Sequence, residues 1–223
     1  MGYVNRRLWI LIAVTAVLAA VVLWTWMRPG LSGGAEGYLA VQRKVEAIAD
    51  SGDQEALVAE TRVRDDKKAC MAVRAMGRIG PKAAPAVREA MMDRRPLVRQ
   101  AATVAIGNAG DETDVPAVSA VLIKDESPAV RAAAALTLGR MRAYTEMDKL
   151  LDALADDDLN VRRRANAAIV KILGVSAGFN ASDAPARRQK AIAALRGMWA
   201  KMRTKTETFY EARKKRLEAA AGN

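Results

Sequence analysis

Histidine is absent from this chain of 223 residues, and cysteine occurs only once, at Cys70. The commonest general base and the commonest transition-metal ligand of proteins are therefore both missing. One cysteine permits neither a disulfide bond within the chain nor a cysteine-rich metal site. Aromatic residues make up only 4% of the chain, whereas sheets favour aromatic and β-branched residues. The abundance of alanine instead predicts helices that pack at close range.

The chain is strongly basic, with a formal net charge of +11. Such a charge favours acidic partners, which include anionic protein surfaces, lipid headgroups and nucleic acid. Residues 187–223 hold eleven Lys or Arg against three Glu. Residues 200–223 are predicted to form a basic helical tail, with its densest cluster at Arg213, Lys214, Lys215 and Arg216. This tail is either an amphipathic helix that touches anionic lipid or an acidic partner, or a solvated terminal helix.

Residues 8–27, LWILIAVTAVLAAVVLWTWM, contain no charged side chain. Their length is sufficient to cross the hydrocarbon core of a bilayer, which is about 30 Å thick. Trp9, Trp24 and Trp26 lie near the ends of the segment, where interfacial tryptophans are enriched. We therefore predict an uncleaved transmembrane helix. A cleaved signal peptide is the alternative, although its apolar region usually runs for only about 7–15 residues.

The charges beside this segment predict its orientation. Arg6, Arg7 and the terminal amine outweigh Arg28, so the positive-inside bias places residues 1–7 as a stub in the cytoplasm. The main domain is then extracytoplasmic, and the protein is a single-pass protein of the inner (cytoplasmic) membrane. Residues 28–37 are predicted to be a flexible linker, since positions 29–37 hold four glycines and one proline.

The body of the chain repeats one pattern. Gly77, Gly107, Gly139 and Val170 occupy equivalent places at spacings of 30, 32 and 31 residues, a period that suits two short helices and two turns. Apolar residues at helical spacing mark a first helix in each unit. Second helices are predicted to begin near Pro96, Pro128 and Leu159. Pro85 and Pro116 suit first-turn positions, whereas Ser127 and Asp158 suit N-cap positions.

Three of the units share the pattern D-x-x-x-x-V-R-x-x-A, which resembles the short HEAT-like repeats of phycobilisome lyases. The resemblance covers roughly residues 53–174. It implies an all-α fold, with residues 38–177 forming a HEAT-like α-solenoid of about four helix pairs. In that family the Asp and Arg residues form a ladder between successive repeats, a structural role that the resemblance assigns to Asp93, Arg99, Asp125, Arg131, Asp156 and Arg162.

The ends of the repeat region depart from this pattern. In the first unit Lys68-Ala69 replaces Val-Arg, and residues 38–50 are predicted to form a helix that covers that end. Residues 178–199 resemble a terminal segment of some bacterial HEAT-repeat proteins, which implies a capping segment. Its apolar residues, expected to seal the last repeat, are Phe179, Ile192, Leu195 and Trp199.

No set of residues predicts catalysis. Cys70 has no neighbouring base and is expected to be buried as a small apolar residue. The acidic run 156–158 occupies a turn between helices, where capping explains it better than a metal ion. Phycobilisome lyases attach bilins, but the predicted membrane anchor and the missing site motif argue against that activity here. We therefore expect no enzymatic activity, no cofactor and no metal, and a small-molecule substrate is not indicated.

In such solenoids the row of second helices lines a concave face. Positions of that row predicted to be exposed are Arg74, Arg78, Gln100, Thr103, Asn108, Arg140, Arg163, Asn166 and Lys171, and none of them is acidic. We predict that Arg74, Arg78, Gln100, Arg140, Arg163 and Lys171 bind an acidic segment of a protein partner. The leading hypothesis is thus a membrane-anchored protein–protein interaction scaffold or adaptor. Two alternatives are nucleic-acid or anionic-lipid binding through the basic groove and tail, which scarce stacking aromatics disfavour for nucleic acid, and an enzyme or lyase subunit.

Overall fold

The computed structural model describes residues 33–174 and 178–221, with the side chains of residues 37–174, 178–204 and 208. Within these two ranges no helix has both the length and the apolar character needed to cross a bilayer. The predicted stub at 1–7 and the predicted transmembrane helix at 8–27 lie outside the described residues.

The described residues form ten α-helices and contain no strand. The helices are α1 (Gly33–Ser51), α2 (Gln54–Thr61), α3 (Asp66–Ile79), α4 (Ala84–Ala90), α5 (Pro96–Ala109), α6 (Val115–Lys124), α7 (Pro128–Met141), α8 (Met147–Ala153), α9 (Leu159–Leu173) and α10 (Pro185–Ala221). Short 3₁₀ turns at Pro81–Ala83, Glu112–Asp114 and Tyr144–Glu146 precede α4, α6 and α8.

Helices α2 to α9 form four consecutive pairs, here called units 1 to 4. The second helices α3, α5, α7 and α9 pack side by side in chain order, and each also packs against the first helix of its own unit. Their buried faces form one continuous core that includes Met76, Ile106, Leu138 and Ile169. The prediction of an all-α solenoid of about four helix pairs is therefore confirmed.

The starts of the second helices follow from prolines and from capping side chains. Second helices begin at Pro96, Pro128 and Leu159, as predicted. Asp158 accepts hydrogen bonds from two backbone N–H groups of α9 and so acts as its N-cap. Ser127 occupies the predicted N-cap position of α7, but its side chain makes no capping bond. Asp125 instead accepts a bond from the Ser127 N–H at 2.9 Å and fixes the turn before α7.

Two aligned glycines let neighbouring second helices approach closely. A Cβ atom on Gly77 would lie 2.8 Å from the Cβ of Ala105. One on Gly139 would lie 2.8 Å from both the Cα and the Cβ of Ala168. Both distances are shorter than ordinary van der Waals contact, so only glycine permits this spacing of the helices.

The first end of the stack is covered by α1, which packs against both helices of unit 1 and buries Val45 and Ala49. This helix was predicted for residues 38–50, but it begins at Gly33. The predicted linker 28–37 therefore overlaps it at residues 33–37. Residues 33–37 are thus the first residues of α1 and not a linker that precedes it.

The other end is closed by the segment from Gly178 onward. Phe179, Ile192, Leu195 and Trp199 are all at most 8% exposed. Helix α10 packs against α8, and Arg196 forms an ion pair with Asp152 there. The predicted division between a cap ending at residue 199 and a tail from residue 200 falls inside this one continuous helix.

Candidate protein-binding surface

Paired arginines and aspartates join consecutive units. Arg99 binds Asp125 through its Nε and Nη2 atoms, at 2.8 and 3.0 Å. Arg131 binds Asp156 at the same two distances. The Nη1 atom of each arginine also donates to carbonyl oxygens in the turn of its own unit. These contacts place four of the six predicted ladder residues in bidentate pairs between units.

The electrostatics of these pairs keep the carboxylates ionised. Burial is the largest single influence and raises the pKa of Asp125 and Asp156, but the hydrogen bonds from Arg99 and Arg131, the backbone hydrogen bonds and the charges of nearby arginines together outweigh it. Backbone N–H groups at the start of the next helix donate a further bond to each carboxylate. The pKa of both side chains is therefore held below its ordinary value.

The ladder ends differently at its two extremes. Unit 1 has Ala69 where the ladder arginine would stand, so Asp93 binds Arg95 of its own unit instead. Arg95 reaches back to unit 1 by donating to the carbonyls of Thr61 and Val63, both at 2.6 Å. At the other end, Arg162 donates from its Nε atom to the carbonyl of Ala181 at 3.0 Å.

The sequence interpretation missed two features of this ladder. The role of Arg95 had a signal, because unit 2 alone has arginine at a turn position that holds Ser127 and Asp158 in the later units. The second feature is a row of bonds between the first helices and the following 3₁₀ turns. Arg88 binds the buried Asp114 at 2.6 and 3.0 Å, and Ser119 donates to Glu146 at 2.6 Å. Because the paired residue types differ, no repeated pattern marks them.

A groove with a volume of about 340 Å³ lies between α3 and α5. Its lining includes Cys70, Arg74, Arg78, Leu97, Gln100, Val104 and Asn108. Three of the six predicted partner-binding residues therefore lie together. Arg74 is exposed, and within the described part of the chain its side chain forms no hydrogen bond or ion pair. Arg78 donates to the hydroxyl of Tyr38 and stacks over that ring, with 5.2 Å between the guanidinium carbon and the ring centre.

The only cysteine lies in this groove. Cys70 is half-buried, not fully buried as predicted, and its thiol lies 3.4 Å from the carbonyl oxygen of Leu97. Burial raises the pKa of the Cys70 thiol, although the positive charge of Arg74 opposes the shift. The thiol is therefore protonated at neutral pH and is a poor nucleophile.

The other predicted binding residues extend the surface beyond the groove. Arg78, Asn108, Arg140 and Lys171 each stand one residue after the aligned position of their unit, and all four are exposed. Arg140 donates to Asn108 and so joins α7 to the groove. Arg163 and Lys171 are exposed on α9, outside the lining of the groove.

The charged side chains of three of the four second helices are all positive. Helices α5, α7 and α9 contain no Asp or Glu. One position predicted to be exposed is corrected, because Thr103 is fully buried and donates to the carbonyl of Arg99 at 2.7 Å. A threonine hydroxyl in a helix can donate to the carbonyl four residues earlier, so its side chain can be buried without an unpaired polar group.

Two further predictions concern a tail and a metal. Arg213, Lys214, Lys215 and Arg216 lie in α10, and their side chains are outside the described part of the structure. Across residues 33–174 and 178–221, no group of three or more His, Cys, Asp and Glu residues is placed to hold a metal ion. Within the run 156–158, Asp156 binds Arg131 and Asp158 caps α9.

Four stacked helix pairs joined by repeated contacts define a tandem-repeat α-solenoid. A family model described as HEAT repeats matches residues 54–122 and 115–170, which together span more than half of the chain. The chain belongs to the HEAT-repeat family, and the predicted HEAT-like repeats are confirmed.

Comparison with other proteins adds one structural similarity. The complex of CpcE and CpcF of phycocyanin lyase from Nostoc sp. PCC7120 is similar, with 18% sequence identity and a TM-score of 0.48. The similarity covers 67% of this chain and 98% of that chain. No curated protein matches this sequence.

Proposed function

We propose that this protein is a membrane-anchored scaffold that binds an acidic segment of a protein partner along its second helices. Membership of the HEAT-repeat family indicates a protein-interaction solenoid, since stacked repeats present extended binding surfaces. The observation that carries the proposal is the row of exposed basic side chains on α3, α7 and α9, since α3 alone of the four second helices contains an acidic residue, Asp66 in its first turn.

The groove between α3 and α5 supports a partner with both acidic and apolar residues. Leu97 is 57% exposed at one border of the groove, and Val104 is half-buried beside it. Arg74 and Arg78 stand one helical turn apart on the opposite wall, so they present two cations to the same segment. Guanidinium groups bind carboxylates through paired hydrogen bonds. An acidic segment with an apolar side chain facing Leu97 is therefore the expected ligand.

The availability of these cations favours binding. Among the described residues, Arg74, Arg163 and Lys171 form no ion pair or hydrogen bond through their side chains. A carboxylate that approaches them displaces water and breaks no bond within the protein. Arg78 and Arg140 already donate to uncharged partners, Tyr38 and Asn108, and retain further N–H groups for a ligand.

Anchoring, topology and the absence of catalysis complete the proposal. Residues 8–27 form the transmembrane helix, residues 1–7 lie in the cytoplasm, and the solenoid is extracytoplasmic. The role of the protein is to bind without enzymatic activity, because the sequence offers no histidine and the Cys70 thiol has a raised pKa.

Crosslinking in native membranes, followed by purification, tests the binding surface. The wild type is compared with a variant carrying Arg74→Glu, Arg140→Glu and Arg163→Glu. A control variant carries Arg187→Glu, Lys190→Glu and Lys201→Glu, three exposed positions on α10 with the same change in charge. A partner retained by the control and lost from the first variant, while circular dichroism shows that both are folded, supports the proposal. Equal recovery with all three proteins would contradict it.

Thiol labelling tests the topology. A single cysteine replaces Asn223 in a Cys70→Ser background, and intact cells are treated with a membrane-impermeant thiol reagent. Labelling in intact cells is expected for an extracytoplasmic domain. Labelling that occurs only after lysis would place the solenoid in the cytoplasm.

The nucleic-acid alternative makes a different prediction. Binding of random-sequence DNA by the basic face would weaken steeply with salt as counterions are released. A DNA affinity of that kind, lost in the Arg74, Arg140 and Arg163 variant, would replace the protein-scaffold proposal.

A further inference from the structure

The turns within the four units carry a row of charges at one shared repeat position. Arg64, Arg94, Glu126 and Asp157 each stand thirteen residues before the aligned position of their unit. All four are exposed. Within the described part of the chain, none of their side chains forms a hydrogen bond or an ion pair. This turn row lies at the edge of the stack and does not line the groove between α3 and α5.

The side chains of the ladder arginines bind the backbone carbonyls of three of these four residues. Arg99, Arg131 and Arg162 donate from Nη1 to the carbonyls of Arg94, Glu126 and Asp157, at 3.1, 3.2 and 2.8 Å. The carbonyls are therefore used inside the molecule, while the side chains remain exposed to solvent. A fixed row of outward charges is suited to meeting another surface without reorganisation.

The order of signs along the row is positive, positive, negative, negative. We propose that two copies of this protein associate through the turn row, related by a two-fold axis that passes between units 2 and 3. This antiparallel arrangement places Arg64 opposite Asp157 and Arg94 opposite Glu126 of the second copy, and the reverse pairs follow by symmetry. A two-fold interface must be self-complementary, and this order of signs meets that condition.

Other alignments of the row pair fewer charges. A parallel arrangement in register places like charges opposite each other, which is unfavourable. A parallel arrangement shifted by two units pairs only half of each row and leaves the other half open. The antiparallel pair alone uses all four positions of both copies and closes the assembly at two.

The shape of the edge supports the same arrangement. A cleft of about 720 Å³ lies between the turns of units 1 and 2. Its lining contains the ion pairs Arg62–Glu89 and Arg95–Asp93, whereas Arg64 and Arg94 leave it with a surplus of positive charge. In the antiparallel pair this basic cleft faces the acidic turn at residues 156–158 of the second copy. Met92 is 79% exposed and lines the cleft, so it supplies an apolar contact beside the charges.

The expected association is modest and depends on salt. Exposed ion pairs each contribute little, and side chains at the surface are screened by salt. We expect a dissociation constant between about 0.1 and 1 mM at low salt, and a roughly tenfold weaker dimer at about 0.5 M than at about 0.1 M salt.

Two charge-reversal variants test the proposal. Arg64→Glu with Arg94→Glu makes the row entirely acidic, and Glu126→Arg with Asp157→Arg makes it entirely basic. The full-length proteins are studied by sedimentation equilibrium in a density-matched detergent. Each variant alone is expected to self-associate at least about tenfold more weakly than the wild type, while an equimolar mixture of the two forms dimers again. Arg187→Glu with Lys190→Glu is the matched control and is expected to dimerise like the wild type.

Four results would overturn this proposal. The first is a wild type that remains monomeric up to about 1 mM, the dissociation constant that corresponds to about 4 kcal/mol. The second is an all-acidic or all-basic variant that dimerises like the wild type, which would assign association to another surface such as residues 8–27. The third is a mixture that stays monomeric although circular dichroism shows both variants to be folded. The fourth is a wild type whose mass continues to rise beyond that of a dimer.

Discussion

Single arginines hold consecutive helix pairs together, and Arg131 shows how much one side chain contributes. Its Nε and Nη2 atoms bind Asp156 of the next unit, while Nη1 binds two carbonyls of its own turn. Only 16% of the Arg131 side chain and 13% of the Asp156 side chain are exposed. Because both charges are largely removed from water, either charge left alone would be poorly solvated.

Replacing Arg131 by alanine is expected to lower the free energy of unfolding by about 2–3 kcal/mol, since Asp156 loses its partner while it stays mostly buried. The control is Arg140→Ala on the same helix, where the side chain is exposed and the expected loss is below about 0.5 kcal/mol. Urea denaturation of the full chain in detergent, followed by circular dichroism, measures both. Equal losses for the two variants would contradict a special role of the ladder.

The lowered pKa values of Asp125 and Asp156 predict a dependence of stability on pH. The unfolded chain takes up protons at these residues near pH 3.9, whereas the folded protein takes them up only at lower pH. Their contribution is therefore complete above the unfolded pKa and is lost as the pH falls through the folded values. The free energy of unfolding should decrease below about pH 5.

The variant Asp125→Asn with Asp156→Asn should be less stable at pH 7 and should lose less stability on acidification. Denaturation midpoints measured from pH 7 to pH 3 provide the comparison. A control variant, Glu126→Gln with Asp157→Asn, removes two exposed carboxylates that form no ion pair with any described residue of the same molecule. A decrease of the same steepness in the ladder variant and the wild type would argue against the mechanism.

Among the helices, the second helices of units 2 to 4 were the most predictable elements. Pro96 and Pro128 mark first-turn positions, and buried residues recur at helical spacing, so both boundaries and faces follow from local pattern. The start of α1 at Gly33 did not follow, because the glycines of residues 29–37 favour a linker when only local preference is considered. The continuity of α10 was also missed, since the buried cap and the basic tail differ in composition.

Two glycines in helices make opposite predictions. Gly139→Ala should lower the free energy of unfolding by about 1–3 kcal/mol, because the new Cβ would lie 2.8 Å from the Cα of Ala168 and force α7 and α9 apart. Gly197→Ala should raise it by up to about 1 kcal/mol, since nothing lies within 4 Å and alanine favours helix. Urea titrations of both variants provide the measurement. Loss of stability in both would indicate that helix spacing is not the cause.

The candidate surface was predictable to the extent that it follows helical phase. Arg74, Arg78 and Gln100 lie together because α3 and α5 are neighbours and their exposed positions face the same side. The prediction that Thr103 is exposed was wrong, because its hydroxyl donates to the carbonyl of Arg99 and the side chain is buried. The contacts of Arg95 with the carbonyls of Thr61 and Val63 were not predicted. They replace the ladder arginine that unit 1 lacks at Ala69, and a contact between two units does not appear in the sequence pattern of either one.

On the scale of the whole molecule, each unit contacts mainly its neighbours, so stability depends on how the ends are closed. A chain that ends after Asp183 lacks the buried side chains of Ile192, Leu195 and Trp199. We expect it to lose on the order of 5 kcal/mol, given the apolar surface that becomes exposed. A chain that ends after Thr204 keeps these residues and should stay within about 0.5 kcal/mol of the full chain.

Hydrogen exchange measures this difference by position. In the chain that ends after Asp183, loss of protection should be greatest in α8 and α9 and smallest in α3, since a stacked array loosens from its open end. Uniform loss along all helices would show that the solenoid unfolds as one cooperative unit. Unchanged protection in α8 would show that α10 is not a cap.

The ladder makes a repeat interchangeable. A second copy of residues 115–146 placed after the first would present Asp125 to the Arg131 before it and Arg131 to the Asp156 after it. The ladder contacts of an additional copy of unit 3 are those already present, because this unit has its acceptor Asp125 on one side and its donor Arg131 on the other. Tandem duplication of unit 3 would therefore lengthen the solenoid while its two dissimilar ends stay as they are.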